Sequence, residues 1–289
     1  MHQPTDAQFQ YLTGQSRPSF AALLPHFDIL SADVASAGML DIRYGDGHRE
    51  CFDFFPARGR PRATLLYFHA GYWQSRDKST FRFIAPAFTR RGLHVALVNY
   101  PLCPQVSLGE LVDATRRAVV AVHRHVLARG QGDLPLLASG HSAGGHIAVE
   151  LALTDKLAHG DTDPSPRIHG VLAISGVYDL APLVDTTLNR ALGLDAESAR
   201  RHSPIGRVGA VAAPALFAVG GAETRAFLVQ TQRMHTAWQD AGHPSTQLMV
   251  DGADHLTVLE DLVASDSSLH GAVLDWIDQA VAQAQVQTA

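Results

Sequence analysis

The sequence predicts an α/β fold: an eight-stranded, mostly parallel sheet with helices on both faces and a small helical cap. Two observations predict it. Short apolar runs bounded by turn residues alternate with longer stretches of helical period along the 289 residues, the pattern of a sheet covered on both sides. Hydrophobic residues make up 46% and charged residues 18%, enough to fill one large core. No repeat or low-complexity tract interrupts the alternation, so a single domain is expected over 1–289.

In chain order, strands are predicted at 39–44 (MLDIRY), 50–55 (ECFDFF), 64–69 (TLLYFH), 93–99 (LHVALVN), 134–139 (LPLLAS), 169–175 (HGVLAIS), 214–220 (PALFAVG) and 246–250 (TQLMV). Helices fall near 79–91, 108–129, 143–157, 224–241 and 268–284. Turn chemistry at Gly45-Asp46-Gly47 joins the first two strands, which should pair antiparallel at one edge. From the third strand on every crossover holds a helix, so those strands should run parallel. Two stretches stand outside the alternation. Residues 1–38 set Phe9, Tyr11, Phe20 and Phe27 among turn-formers and are expected to wrap the body or cover the mouth of a site. Residues 176–210, between the sixth and seventh strands, offer room for the cap.

Composition narrows the function. The formal charge is −5 and Lys and Arg form no long run, which argues against nucleic acid as a partner. No stretch of about 18 uninterrupted apolar residues appears, so no membrane span is expected. The polar N-terminus shows no signal-peptide pattern, and two cysteines, Cys51 and Cys103, suit reduced thiols, so a cytoplasmic protein is expected. The 16 histidines raise the question of metal. His123 and His125 sit two apart on a helical pattern and do not share a face, and no ligand-spaced cluster or H-E-x-x-H is present. Neither metal nor cofactor is expected.

Gly140-His141-Ser142-Ala143-Gly144 matches G-x-S-x-G, entered from an apolar strand and left by a helical pattern. A sharp strand-to-helix turn strains the serine backbone and needs glycines on either side, where side chains would clash. The helix dipole then favours the charge that develops as Ser142 attacks. A serine hydroxyl is a weak nucleophile until a base takes its proton. His255, in GADHLTV after the last strand, is the candidate base. Glu223, after the seventh strand, is the candidate acid that fixes the imidazole tautomer. Asp251 and Asp254 are rivals, but lie too close in sequence to reach the far ring nitrogen easily. For the oxyanion, N–H donors are expected from Ala143 and from Gly71 and Tyr72 in the loop HAGYW after the third strand. Tyr72, Trp73 and His141 are candidates to line the substrate; His146 reads as a packing residue of the turn and Cys103 as a small loop or core thiol.

Several segments, spread over most of 39–265, resemble the kynurenine formamidase (arylformamidase) branch of the α/β-hydrolases, near the hormone-sensitive-lipase-like esterases. HAGYWQSRDKS, with Trp73 and Lys78, is similar to the H-G-G-Y-W segment of that branch. NYPLCPQVSLGELV, GHSAGGH, SGVYDLAPLV, GGAETRAFLVQ and GADHLTVLEDL match its further segments. Ala70 stands where a glycine is usual and Glu223 where aspartate is frequent. The resemblance implies an α/β-hydrolase fold and a serine hydrolase that releases formate from an N-formyl aryl amine such as N-formylkynurenine, with Tyr72 and Trp73 as walls for the aromatic part.

A carboxylesterase for short acyl or aryl esters would use the same three residues with a roomier acyl pocket. A binding protein that had kept the fold and lost catalysis would typically lack the serine or histidine; both are present. The expected partner is a small-molecule substrate, with no nucleic acid and no membrane, and a homodimer is left open.

Overall fold

The structure, a computed structural model, describes residues 6–153, 166–209 and 213–288. Its eight strands are β1 (Met39–Arg43), β2 (Cys51–Phe55), β3 (Ala63–Phe68), β4 (Leu93–Val98), β5 (Leu136–His141), β6 (Ile168–Ile174), β7 (Ala215–Gly220) and β8 (Ser245–Val250). They form one sheet in the order β1-β2-β4-β3-β5-β6-β7-β8. The pairs β1–β2 and β2–β4 are antiparallel and all others parallel, as the sequence predicts. The strand order reverses at β3, which has β4 on one side and β5 on the other. In open α/β sheets the crevice at the carboxyl ends of such strands is where ligands bind. Phe68 and Gly140 are paired there, so the loops leaving β3 and β5 start side by side.

The helices are α1 (Pro18–Val34), α2 (Ala85–Thr89), α3 (Leu108–Leu127), α4 (Ala143–Ala152), α5 (Asn189–Leu192), α6 (Ala196–Arg201), α7 (Arg225–Asp240), α8 (Val258–Val263) and α9 (Ser268–Thr288). Alternation along the strands splits the core in two. Leu66 and Phe68 of β3 join Val122 of α3, Ile147 of α4 and Trp238 of α7 on one face. Leu65 and Tyr67 join Phe27 of α1, Phe88 of α2, Leu259 of α8 and Trp276 of α9 on the other. Ser107 and Glu110 close a reciprocal capping box at the start of α3.

The structure refines the sequence reading at several places. The segment expected as one helix over 79–91 begins as 3₁₀ turns, Lys78–Ile84, before α2. Asp77 caps it through the Ser79 N–H at 2.9 Å, and Lys78, Phe81, Phe83 and Ile84 are all buried, so the segment meets protein on several sides instead of along one α-helical stripe. Residues 1–38 are read from the sequence as a segment that wraps the body or covers the site mouth; within it α1 runs for 17 residues with Pro18 in its first turn. Between β6 and β7, residues 176–209 hold α5, α6 and two short 3₁₀ turns. The helix expected over 143–157 ends at Ala152, and 154–157 lie outside the described residues, as does 210.

Candidate active site

Ser142 stands at the turn from β5 into α4 with φ 57° and ψ −118°, a backbone that a non-glycine residue adopts only under constraint. Its N–H donates to the Ile174 carbonyl at 2.8 Å, tying the turn to β6. A β-carbon on Gly140 would meet the Gly144 carbonyl oxygen at 2.2 Å, and one on Gly144 would meet the Phe68 oxygen at 1.9 Å. Both glycines are therefore required for the turn to close, and Ser142 ends 1% exposed. Ala143 is the first residue of α4, where N–H groups have no acceptor within the helix.

His255 follows β8 and Glu223 follows β7. His255 Nδ1 lies 2.6 Å from Glu223 Oε2. The other carboxylate oxygen, Oε1, accepts from Ser175 Oγ at 2.5 Å and from the Gly220 N–H at 2.9 Å. Asp254, the rival in sequence, is occupied by its own turn: it accepts from the N–H groups of Leu256 and Thr257 and from Ser19 Oγ. Burial works to raise its carboxyl, but these donors outweigh it and hold the group below the usual carboxylate range. His141, next to Ser142, lies with its ring centroid 4.6 Å from that of His255, which brings the ends of β5 and β8 together. Burial, and then the neighbouring His255, push His141 well below its ordinary value, so it is neutral. Phe227 of α7 packs on the other ring contact of His255, also at 4.6 Å between centroids.

The loop after β3 takes left-handed backbone at three successive residues, Gly71 (φ 131°), Tyr72 (φ 50°) and Trp73 (φ 60°). Gly71 carries the requirement: a β-carbon there would meet the Ser75 oxygen at 2.1 Å. Ala70 lies outside the left-handed run, so its methyl is tolerated where a glycine is usual. The Gly71 carbonyl accepts from the N–H groups of Gln74 and Ser75, both at 3.0 Å, which fixes the loop. Behind it His69 stacks on Tyr100 at 4.3 Å between centroids, and the Tyr100 hydroxyl donates to the His69 carbonyl at 2.7 Å. Arg49 ties this pair to Asp77 and Asn99. Burial lowers His69 to about 4, so it too is neutral.

Tyr72, Trp73 and His141 were expected to line the substrate. Tyr72 is partly buried and donates its hydroxyl to the Tyr11 carbonyl. Trp73 lies wholly within the core, its ring centroid 5.0 Å from that of His146 in an edge-on contact, so of the two aromatics only Tyr72 keeps an exposed part. Cys51 and Cys103 are free and buried.

Two contacts to the acid were not foreseen. Ser175, with φ 51°, turns its hydroxyl to Glu223 from the end of β6. Gln15, 208 positions away in the chain, donates from Nε2 to Glu223 Oε2 at 3.1 Å. Around it, Arg17 donates to the Ala222 carbonyl at 2.8 Å, and the Phe20 ring lies 6.4 Å from that of His255. Hydrogen bonds between segments so far apart leave no local signature in a sequence.

A family profile for the alpha/beta hydrolase fold matches residues 65–259. The kynurenine formamidase of Danio rerio is 30% identical over 249 residues, 83% of this chain and 82% of that protein. A solved candidate thioesterase from Silicibacter sp. is 29% identical with a TM-score of 0.79, covering 92% of this chain and 98% of the other. Esterase 2 of Thermogutta terrifontis shares the fold at 20% identity and a TM-score of 0.67, covering 86% and 94% of the two chains. Among the described residues no helix is long and apolar enough to cross a membrane.

Proposed function

The chain belongs to the alpha/beta hydrolase fold family and is a hydrolase; from that premise we propose that it cleaves N-formyl aryl amides through a formyl-enzyme on Ser142. The observation that carries the choice of acyl group is the confinement of Ser142, which is 1% exposed. A formyl group asks for little more space than a hydrogen atom on the carbonyl carbon. The likeness to a kynurenine formamidase over 83% of the chain supports the same reading.

In this mechanism Ser142 Oγ attacks the formyl carbon while His255 Nε2 takes its proton. Glu223 holds the Nδ1 proton, which keeps the acceptor nitrogen facing Ser142 and stabilises the imidazolium. The N–H groups of Ala143, Gly71 and Tyr72 stabilise the tetrahedral oxyanion. His255 then gives its proton to the amine nitrogen as the C–N bond breaks, releasing the aryl amine and leaving formyl-Ser142. A water molecule, deprotonated by His255, attacks that ester. The C–Oγ bond breaks as the proton held by His255 returns to Ser142 Oγ, and formic acid departs, losing its remaining proton to solvent as formate. An aryl amine leaves more readily than an alkyl amine, so machinery suited to esters handles this amide.

A second reading, hydrolysis of short acyl esters or thioesters, is supported by the likeness to the Silicibacter candidate thioesterase. Turnover of N-formylkynurenine is to be compared with that of p-nitrophenyl acetate and butyrate in wild type and Ser142→Ala. Dominant formamide turnover that vanishes in Ser142→Ala supports the formamidase. Ester turnover alone, with butyrate equal to or above acetate, replaces it with the esterase.

A further inference from the structure

We propose that Gln15 is a positioning residue for the Glu223–His255 pair, so that the N-terminal strap of residues 6–20 is part of the active site; the inference rests on the serine-hydrolase reading above. Gln15 is 3% exposed and its Nε2 donates to Glu223 Oε2, the oxygen that also faces His255 Nδ1. With Ser175 and Gly220 on Oε1, each carboxylate oxygen has two partners. The strap is pinned at several further points. Thr224 Oγ1 donates to the Gln10 carbonyl at 2.6 Å, and Gln230 Nε2 donates to the Tyr11 hydroxyl at 2.8 Å. Ser19 Oγ donates to Asp254 Oδ2 at 2.7 Å.

Two features argue against packing as the sole reason for Gln15. Its Oε1 is buried without a hydrogen-bond partner among the described residues. A buried, half-satisfied amide is unfavourable compared with an apolar side chain of the same shape, so the donated N–H is what the position supplies. Glu223 also has one more rotatable bond than an aspartate, so its carboxylate needs more restraint to present Oε2 to His255. A second donor on Oε2 supplies that restraint. It also shares the negative charge that Oε2 presents to His255. Among the described residues, the other ionisable groups near the pair include His141 at the end of β5, Tyr72 after β3, Tyr178 after β6, Asp254 beside His255 in the chain, and Arg17, which bonds the carbonyl of Ala222 beside Glu223.

The test compares Gln15→Met and Gln15→Glu with wild type and Ser142→Ala in the full chain, on N-formylkynurenine and p-nitrophenyl acetate. Readouts are kcat, KM, the pH profile of kcat/KM and the melting temperature. Gln15→Met is expected to lower kcat about tenfold, the scale of one charge-assisted hydrogen bond, with KM and melting temperature close to wild type. Its acidic limb should move to higher pH as the imidazolium gains stabilisation. Gln15→Glu, which has the shape of glutamine but sets a second carboxylate beside Glu223, is expected to lose more and to move the limb further in the same direction. Wild-type kcat and profile in Gln15→Met overturn the inference, as does a loss confined to KM or melting temperature. Should Gln15→Met fold poorly, Gln15→Glu decides by the same readouts. Activity that survives Ser142→Ala strikes the underlying mechanism; an inactive Ser142→Ala beside a fully active Gln15→Met strikes this inference alone.

Discussion

Gly144 and Phe68 approach so closely that a β-carbon on the glycine would stand 1.9 Å from the phenylalanine carbonyl oxygen. The first turn of α4 thus rests directly on the backbone of Phe68 and His69 at the end of β3, with no side chain between them. Because the obstructing atom is backbone, the clash cannot be relieved by a rotamer change.

Gly144→Ala is therefore expected to destabilise the fold by about 3 kcal/mol and to abolish turnover. Gly271→Ala, in α9 where a β-carbon meets nothing within 4 Å, should be neutral or stabilise by up to about 1 kcal/mol. Urea unfolding of the two variants checks the contrast; equal stabilities would show that the elbow relaxes after all.

Glu223→Gln keeps the shape of the acid but removes its charge and presents an amide to the His255 Nδ1. A drop in kcat on the order of 10³–10⁴ is expected, from a wrongly held imidazole tautomer. Glu223→Asp should fall between this and wild type, since its shorter carboxylate retreats from both Gln15 and His255. Single-turnover kinetics on folded protein read both; an unchanged Glu223→Gln would move the acid role elsewhere.

Buried neutral histidines give the fold an acid limit. Burial lowers both His69 and His146 to about 4, in the latter case with the nearby Arg207 charge adding to the effect and the His202 carbonyl opposing it. Their folded values lie below the unfolded value of about 6.5, so as pH falls the unfolded chain takes up protons first. Their contribution is whole above about pH 6.5, and it declines as pH falls until about 4. At pH 5 each should have lost about 2 kcal/mol. Urea midpoints at pH 7.5 and 5.0 test the slope, which His146→Gln should flatten; a midpoint independent of pH would contradict it.

Lys78 Nζ lies 2.7 Å from Asp41 Oδ1 and 2.7 Å from Asp53 Oδ1, and Arg82 Nε lies 2.6 Å from Asp53 Oδ2. With Lys78 2% and Asp53 0% exposed, Lys78→Met leaves a buried carboxylate with one cation in place of two, and should destabilise by about 3–5 kcal/mol. Arg62→Met, which breaks the exposed pair with Asp278, should change stability by less than about 1 kcal/mol. Thermal unfolding of both variants measures the difference.

The sheet was legible because each strand is a short run of apolar or alternating residues, and because the glycines around Ser142 mark a turn that only they permit. That Glu223 and His255 meet was legible from their place after β7 and β8. What the sequence concealed depends on distance or on weak local pattern. The helix α1 carries Pro25 in its interior and buries only Phe27 and Ser31, so it shows no strong apolar stripe. The 3₁₀ turns of Lys78–Ile84 follow from burial on several sides, which periodicity does not register. Gln15 and Ser175 meet Glu223 across 208 and 48 positions, and a lone polar residue gives no hint of so remote a partner.

The strap has a consequence for biosynthesis. Gln15 leaves the ribosome early, but its partner Glu223 and the Thr224 and Gln230 that pin the strap are made some two hundred residues later. Until then the strap has no docking surface on β7 and α7, and it must stay soluble without one. Turnover in a cell-free translation should consequently appear only once β7, α7 and the His255 loop have emerged, which makes catalysis itself a clock for the docking of the strap.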